Sequence, residues 1–154
     1  AKKALELSST ARKPHKWKIE FKSVAFNYRL PNINAALGLA QFKKLNSLLR
    51  AKKNLFKKYK KAFKNFKGIK LFEEQKNCKS NYWLNTLILS QDSFSIRNKI
   101  IEHLNKLGIQ ARPCWKLLHK LNHFSHYPKM NLDVSNRLEK KIINIPSSPK
   151  YGLR

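Results

Sequence analysis

Five histidines, His15, His103, His119, His123 and His126, are the first residues to test for chemistry. His119 and His123 stand four apart, a helical spacing that a metal site can use when a carboxylate or thiolate lies close by. No acid follows until Asp133, and Lys116, Lys120 and Lys129 would repel a cation, so no metal is expected. Cys78 and Cys114 are far apart and lack the paired spacing of a zinc site or a disulfide framework. There is no Gly-rich phosphate loop, no Gly-x-Ser-x-Gly elbow and no pair of carboxylates. With 8 Asp plus Glu in 154 residues, acid and base work by carboxylates is hard to assemble, and no catalytic residue is assigned.

Charge points elsewhere. The 34 Lys plus Arg give a formal charge of +26, a field that attracts nucleic acid, anionic membrane or a phosphorylated ligand alike. Lys far outnumbers Arg, Asn and Ile are abundant and Gly numbers only 4, which an AT-rich coding sequence would also produce. Between Ile33 and Lys67 there are eleven Lys or Arg and no acid. The aromatics of that stretch share its apolar stripe, where they serve a core rather than stack on bases. Helix-turn-helix spacing, zinc fingers and ribonucleoprotein aromatic motifs are all missing, so nucleic acid as a partner rests on charge alone. No apolar run approaches the length of a membrane span, and a cytoplasmic location is expected.

The elements that must position these residues follow from periodicity. Residues 1–11 look helical, and Pro14 breaks them. Trp17 to Phe26 reads as an extended stretch. Pro31 and Asn32 open the next helix, with Asn32 as its N-cap. Apolar residues at Ile33, Ala36, Leu37, Ala40, Leu45, Leu48, Leu49, Leu55, Phe56, Tyr59, Phe63 and Phe66 keep helical spacing. They predict one long helix or two end to end, stopped at Gly68. "IKLF", "YWLNTLILS", "IQARP" and "IINIPSSP" read as extended. A helix from Phe94 to Leu107 is capped by Asp92 or Ser93 and ended by Gly108, and "LDVSNRLEKK" is a shorter helix. The order predicts an α/β or α+β arrangement in which helices cover a small sheet.

One further feature organises the chain. "FNYRLPNINAALGLAQFKKL" resembles the segment after the catalytic core in the DegT/DnrJ/EryC1/StrS family of pyridoxal-phosphate-dependent sugar aminotransferases, where an Asn-Tyr-Arg turn runs into a helix of the form "NxNAALGxAQL". "SSTARKPHKW" is similar to the family's "TTTAKxPHxW" stretch, "SNYWLNTLIL" to its "NYWLNxLxL" strand, "GIQARPCWKLLHKL" to its "GIxxRPxWxPLH" strand and loop, and "INIPSSP" to its terminal "xxLPSSP". Five segments in order span essentially all 154 residues. The "PHxW" and "RPxW" variants are most similar to the branch acting on UDP-linked amino sugars.

The resemblance implies the C-terminal part of an aspartate-aminotransferase-like, fold-type I enzyme. Residues 1–31 would end the large cofactor-binding domain, 32–67 would form a long linking helix, and 68–154 a small domain. The aldimine lysine of the family falls before the segment matching residue 1, and so do the Asp facing the pyridine nitrogen and the group stacked on the ring. The chain alone is therefore not expected to transaminate. Asn27 matches the Asn that hydrogen-bonds the pyridoxal 5′-phosphate phosphate of the partner subunit, and Arg29 the Arg beside it. Arg112, Trp115 and His119 match the strand and loop that face the nucleotide-sugar. A homodimer with shared sites, a keto nucleotide-sugar acceptor and an amino-acid donor such as glutamate are the implied partners. Phe21, Lys22 and Ala25 depart from the family's "HDxxGYNYR", where His, an acid and Gly stand, and Asn122 replaces a common Pro. Had the family's Gly a positive φ, Ala25 would strain the turn. An inactive remnant, or a basic module binding nucleic acid or another polyanion, are the competing expectations.

Overall fold

A computed structural model describes residues 1–153, which divide into two compact units, Ala1–Leu45 and the chain from Asn46 onward. In the first unit, helix α1 (Lys2–Ser8) is followed by residues 9–13 pairing irregularly with residues 20–28. Bridges join Ser9 to Asn27 and Arg12 to Phe21. The expected helix over residues 1–11 stops three residues early because Thr10 and Ala11 take φ of 69° and 48°. Two successive left-handed residues cannot continue a right-handed helix. They turn the chain so that Thr10 N–H donates to the Phe26 carbonyl at 2.9 Å and Ala11 is buried.

Helix α2 (Asn32–Lys43) begins one residue later than its expected cap. Pro31 occupies the N-cap with extended backbone, Asn32 is already helical, and no side chain caps the end. Proline holds φ near the helical value while its carbonyl starts the ladder, so a side-chain cap is not needed to set the start. Ala25 is not among the residues with positive φ, so it carries no such strain. Every residue of α2 is exposed, including Ile33, Leu37, Leu39 and Phe42.

The stretch expected as one helix or two is two. A turn at Lys44 separates α2 from α3 (Leu45–Phe63). In the second unit α3 buries Ala51, Leu55 and Phe56, and its cations face away. A positive φ at Gly68, 85°, lets the chain reverse into strand β1 (Ile69–Leu71). Strand β2 (Asn85–Leu89), helix α4 (Phe94–Lys106), strand β3 (Arg112–Pro113), helix α5 (Asp133–Glu139) and strand β4 (Ile142–Ile145) follow. Of the two candidate caps for α4, Ser93 does the work, its Oγ accepting from Ile96 N–H at 3.3 Å. Asp92 instead pairs with Lys141 at 2.7 Å.

The four strands form one antiparallel sheet in the order β1-β2-β4-β3. Alternation along each strand puts Leu71, Leu87, Leu89, Ile143 and Ile145 on one face. Phe56, Tyr59 and Phe63 of α3 and Ile100, Ile101 and Leu104 of α4 pack against it. The helices therefore cover a small sheet, as the periodicity predicts. Thr86, Ile88, Ile142 and Asn144 point to the opposite face and stay half-buried.

Candidate functional site

Asn27 and Arg29 are two residues apart and both exposed. The Ser9 bridge fixes their position. Asn27 Oδ1 accepts from the Arg29 backbone N–H at 3.4 Å, and Arg29 Nη2 donates to the Ser9 carbonyl at 3.2 Å. The Asn27 amide nitrogen has no partner among the described residues, and the rest of the guanidinium keeps free donors. The unit's carboxylates are occupied elsewhere, Glu20 with Lys13 and Glu6 with Lys22. Outward N–H donors beside an unneutralised cation are what a phosphate group requires, so these residues fit one.

In the second unit, Arg112 and Trp115 line one cavity of about 1260 Å³. Arg112 pairs in register with Asn144 and so shares its face of the sheet. Its guanidinium makes no hydrogen bond or ion pair among the described residues. His119 does not line the cavity. Its Nε2 lies 3.1 Å from Asn136 Oδ1, which ties the loop after β3 to α5.

Sequence reasoning missed Trp83, which lines the same cavity with its ring 5.9 Å from that of Trp115. The text "NYWLN" reads as strand throughout, whereas β2 starts only at Asn85. Just before it, Tyr82 adopts φ of 50° and is buried on Phe56, ring to ring at 4.5 Å. A bulky residue held in the left-handed region costs about 1–3 kcal/mol and persists only where its surroundings fix it. Here packing holds Tyr82 inward and Trp83 stands outward. Asn81 Oδ1 accepts from Trp83 N–H at 2.9 Å, and Lys52 Nζ donates to the Trp83 carbonyl at 3.4 Å.

The same Lys52 donates to the Ser147 carbonyl at 2.7 Å, and burial lowers its pKa. Ser147 Oγ in turn receives Asn85 N–H at 2.7 Å, with Asn85 Nδ2 at 3.3 Å. Tyr59 Oη donates to the Pro146 carbonyl at 3.0 Å. Burial, and then the neighbouring Tyr151 phenol, raise the pKa of Tyr59. The folded chain thus holds this proton more tightly than the unfolded chain. Its contribution is complete below about pH 10 and is lost as pH rises through the folded value. Urea unfolding followed from pH 9 to 11 is expected to show a shallower fall in stability for Tyr59→Phe than for the unaltered chain.

No described helix is long and apolar enough to cross a membrane, and no group of three or more His, Cys, Asp and Glu among the described residues could hold a metal. Comparison with known proteins gives a consistent result. The model of the DegT/DnrJ/EryC1/StrS aminotransferase family matches residues 1–153. EpsN of Bacillus subtilis is 36% identical over 117 residues, 76% of this chain and 29% of that protein. GDP-perosamine synthase of Vibrio cholerae is 29% identical over 127 residues, 82% of this chain and 34% of the relative. The chain thus spans about a third of the length of these relatives. The structure of Helicobacter pylori PseC, an aminotransferase involved in pseudoaminic acid biosynthesis, superposes on 99% of this chain and 43% of its own. Its TM-score is 0.84 at 23% identity, a likeness of fold.

Proposed function

The chain belongs to the DegT/DnrJ/EryC1/StrS aminotransferase family, and on that basis we propose that it serves a pyridoxal-phosphate-dependent enzyme moving an amino group, typically from glutamate, onto a keto nucleotide-sugar for surface-polysaccharide or amino-sugar synthesis. Within it, residues 1–31 act as the end of the large domain, 32–67 as the link and 68–154 as the small domain. The observation that carries the reading is the exposed pair Asn27 and Arg29, set by Ser9 just ahead of an apolar helix that nothing described covers.

That helix supports a homodimer. Apolar side chains on every face of α2 leave no solvated side, and such a helix is stable in water only when neighbours bury it. A second copy is the neighbour that would bring the Asn27 turn to the other subunit's cofactor. Bound pyridoxal phosphate supplies the electron sink for amino transfer. The chain's own part is binding and orientation. Asn27 donates its amide N–H to the phosphate, Arg29 adds fixed positive charge beside it, Arg112 receives the sugar-linked diphosphate and Trp115 covers the ring attached to it. His119 keeps the loop that carries Trp115 against α5.

The test is expression of the complete reading frame containing residues 1–154, assayed with glutamate, pyridoxal phosphate and UDP- or GDP-linked keto sugars while 2-oxoglutarate is followed. Turnover is expected. Asn27→Ala is expected to weaken pyridoxal phosphate binding about tenfold, read by cofactor absorbance, because a hydrogen bond to a charged group is lost. A complete frame showing neither amino transfer nor cofactor absorbance overturns the reading. One observation favours a second function: Arg50, Lys53, Lys57, Lys61 and Lys64 recur at three- and four-residue spacing along α3. Polyanion binding there would weaken steeply with added salt.

A further inference from the structure

We propose that Trp83 is a base-stacking residue, and that with Trp115 and Arg112 it makes the second unit a nucleoside diphosphate site in its own right. The ligand class rests on the nucleotide-sugar reading above. Three independent features point to the site.

The first is exposure against size. Trp83 is 61% exposed and Trp115 76%, yet the two indoles lie at 57° to each other within one cavity. Two large, uncovered π-surfaces in a concave site are suited to receive a flat aromatic ring. Second, the backbone is built to present Trp83. The left-handed Tyr82, its stacking on Phe56, the Asn81 turn and the Lys52 contact all fix the position from which Trp83 projects. Strain maintained next to an outward aromatic is more economically explained by a ligand than by folding, since nothing in the fold uses the Trp83 ring beyond Trp115.

The third feature is charge. The cavity lining contains the cations Arg112 and Lys150 and no carboxylate. Arg112 is unpaired among the described residues, and Lys150 lies over the Tyr151 ring 4.9 Å from its centre. A site that is aromatic at one part and cationic at another, with no acid to repel phosphate, selects a ring joined to an anion. A neutral sugar would use neither the stacked indoles nor the free guanidinium, and a simple anion would not use the indoles. A nucleoside diphosphate uses all three.

The experiment measures binding of UDP, GDP and inorganic pyrophosphate to the full chain by calorimetry, without cofactor or amino donor. UDP or GDP is expected to bind, with pyrophosphate weaker. Trp83→Ala is expected to weaken nucleotide binding about tenfold, the range for losing one stacked base, and to leave pyrophosphate unchanged. Trp83→Phe, which keeps a π-face, is expected to recover most of the loss. Arg112→Ala should weaken all three ligands. The proposal is overturned if the unaltered chain binds neither nucleotide, if Trp83→Ala binds them normally, or if that variant loses pyrophosphate in the same proportion, which would make Trp83 only structural. Failure here with amino transfer intact in the complete frame leaves the proposed function standing. Nucleotide binding without amino transfer would do the reverse.

Discussion

Gly152→Ala is expected to destabilise the second unit by about 3 kcal/mol or more. A Cβ at this position would lie 1.8 Å from the Ala51 carbonyl oxygen and 2.6 Å from its carbon. Both atoms belong to the backbone of α3, so no side-chain rotation relieves the overlap. Either the helix or the terminal turn Pro149–Gly152 must move. Moving the turn breaks what surrounds it, because Tyr59 and Lys52 of α3 bond the Pro146 and Ser147 carbonyls at the turn's approach. In a domain of this size the loss corresponds to a fall in Tm of roughly 6–12 °C, measurable by calorimetry. Gly38→Ala is the contrasting case. Nothing lies within 4 Å of its added Cβ, and alanine improves helix propensity by about 1 kcal/mol. A folded, stable Gly38→Ala chain that fails to dimerise would place Gly38 against a second copy. An unchanged Tm for Gly152→Ala would show that α3 and the turn do not meet as described.

The contrast between the two glycines shows what sequence could and could not disclose. Period and punctuation are local properties, so the strands, α4, its serine cap and the stops at Gly68 and Gly108 were legible from neighbouring residues alone. Gly152 has no local reason to be glycine, since its constraint is a backbone one hundred residues away. Trp83 was hidden for a related reason. Strand alternation assumes regular backbone, and the left-handed Tyr82 inverts the expected pattern immediately before β2. Thr10 and Ala11 deceived in the same manner, because nothing in either side chain announces a positive φ.

Resemblance saw further than periodicity, but only as text. The segments "SNYWLN" and "INIPSSP" were separate motifs in the chain. In the fold they are one assembly, joined by the Asn85 backbone and side chain on Ser147 Oγ and by Lys52 across the Trp83 and Ser147 carbonyls. Their sequence similarity to the family therefore has a structural cause independent of catalysis. Asn85 Oδ1 is left buried without a partner, a cost of about 1–3 kcal/mol that the rest of the assembly must offset.

Lys120→Met is expected to cost about 2–3 kcal/mol, and the double change Lys120→Met with Glu139→Gln to restore most of it. Glu139 is buried at the end of α5, and its carboxylate is paired with Lys120. Its carbonyl receives Nη1 of the buried Arg97, while Arg97 Nε and Nη2 are held by Asn98 Oδ1 at 3.1 and 2.8 Å. Removing Lys120 leaves a desolvated carboxylate without its ammonium partner, which costs more than the pair itself contributes. The lower end of the usual 3–5 kcal/mol applies because Lys120 is itself partly exposed. A neutral amide at residue 139 needs no counter-charge, so the double variant tests charge burial rather than lost packing. The consequence extends to the site. Lys120 and His119 are the two side chains binding the loop after β3 to α5, through Glu139 and Asn136. With one anchor gone, Trp115 should lose its fixed position beside Trp83, and UDP or GDP affinity should fall with stability in Lys120→Met and return with it in the double variant. Stability unchanged by Lys120→Met would remove the ion pair from the account of the fold. Stability lost while nucleotide affinity stays constant would show that Trp115 is placed by β3 and Trp83 alone.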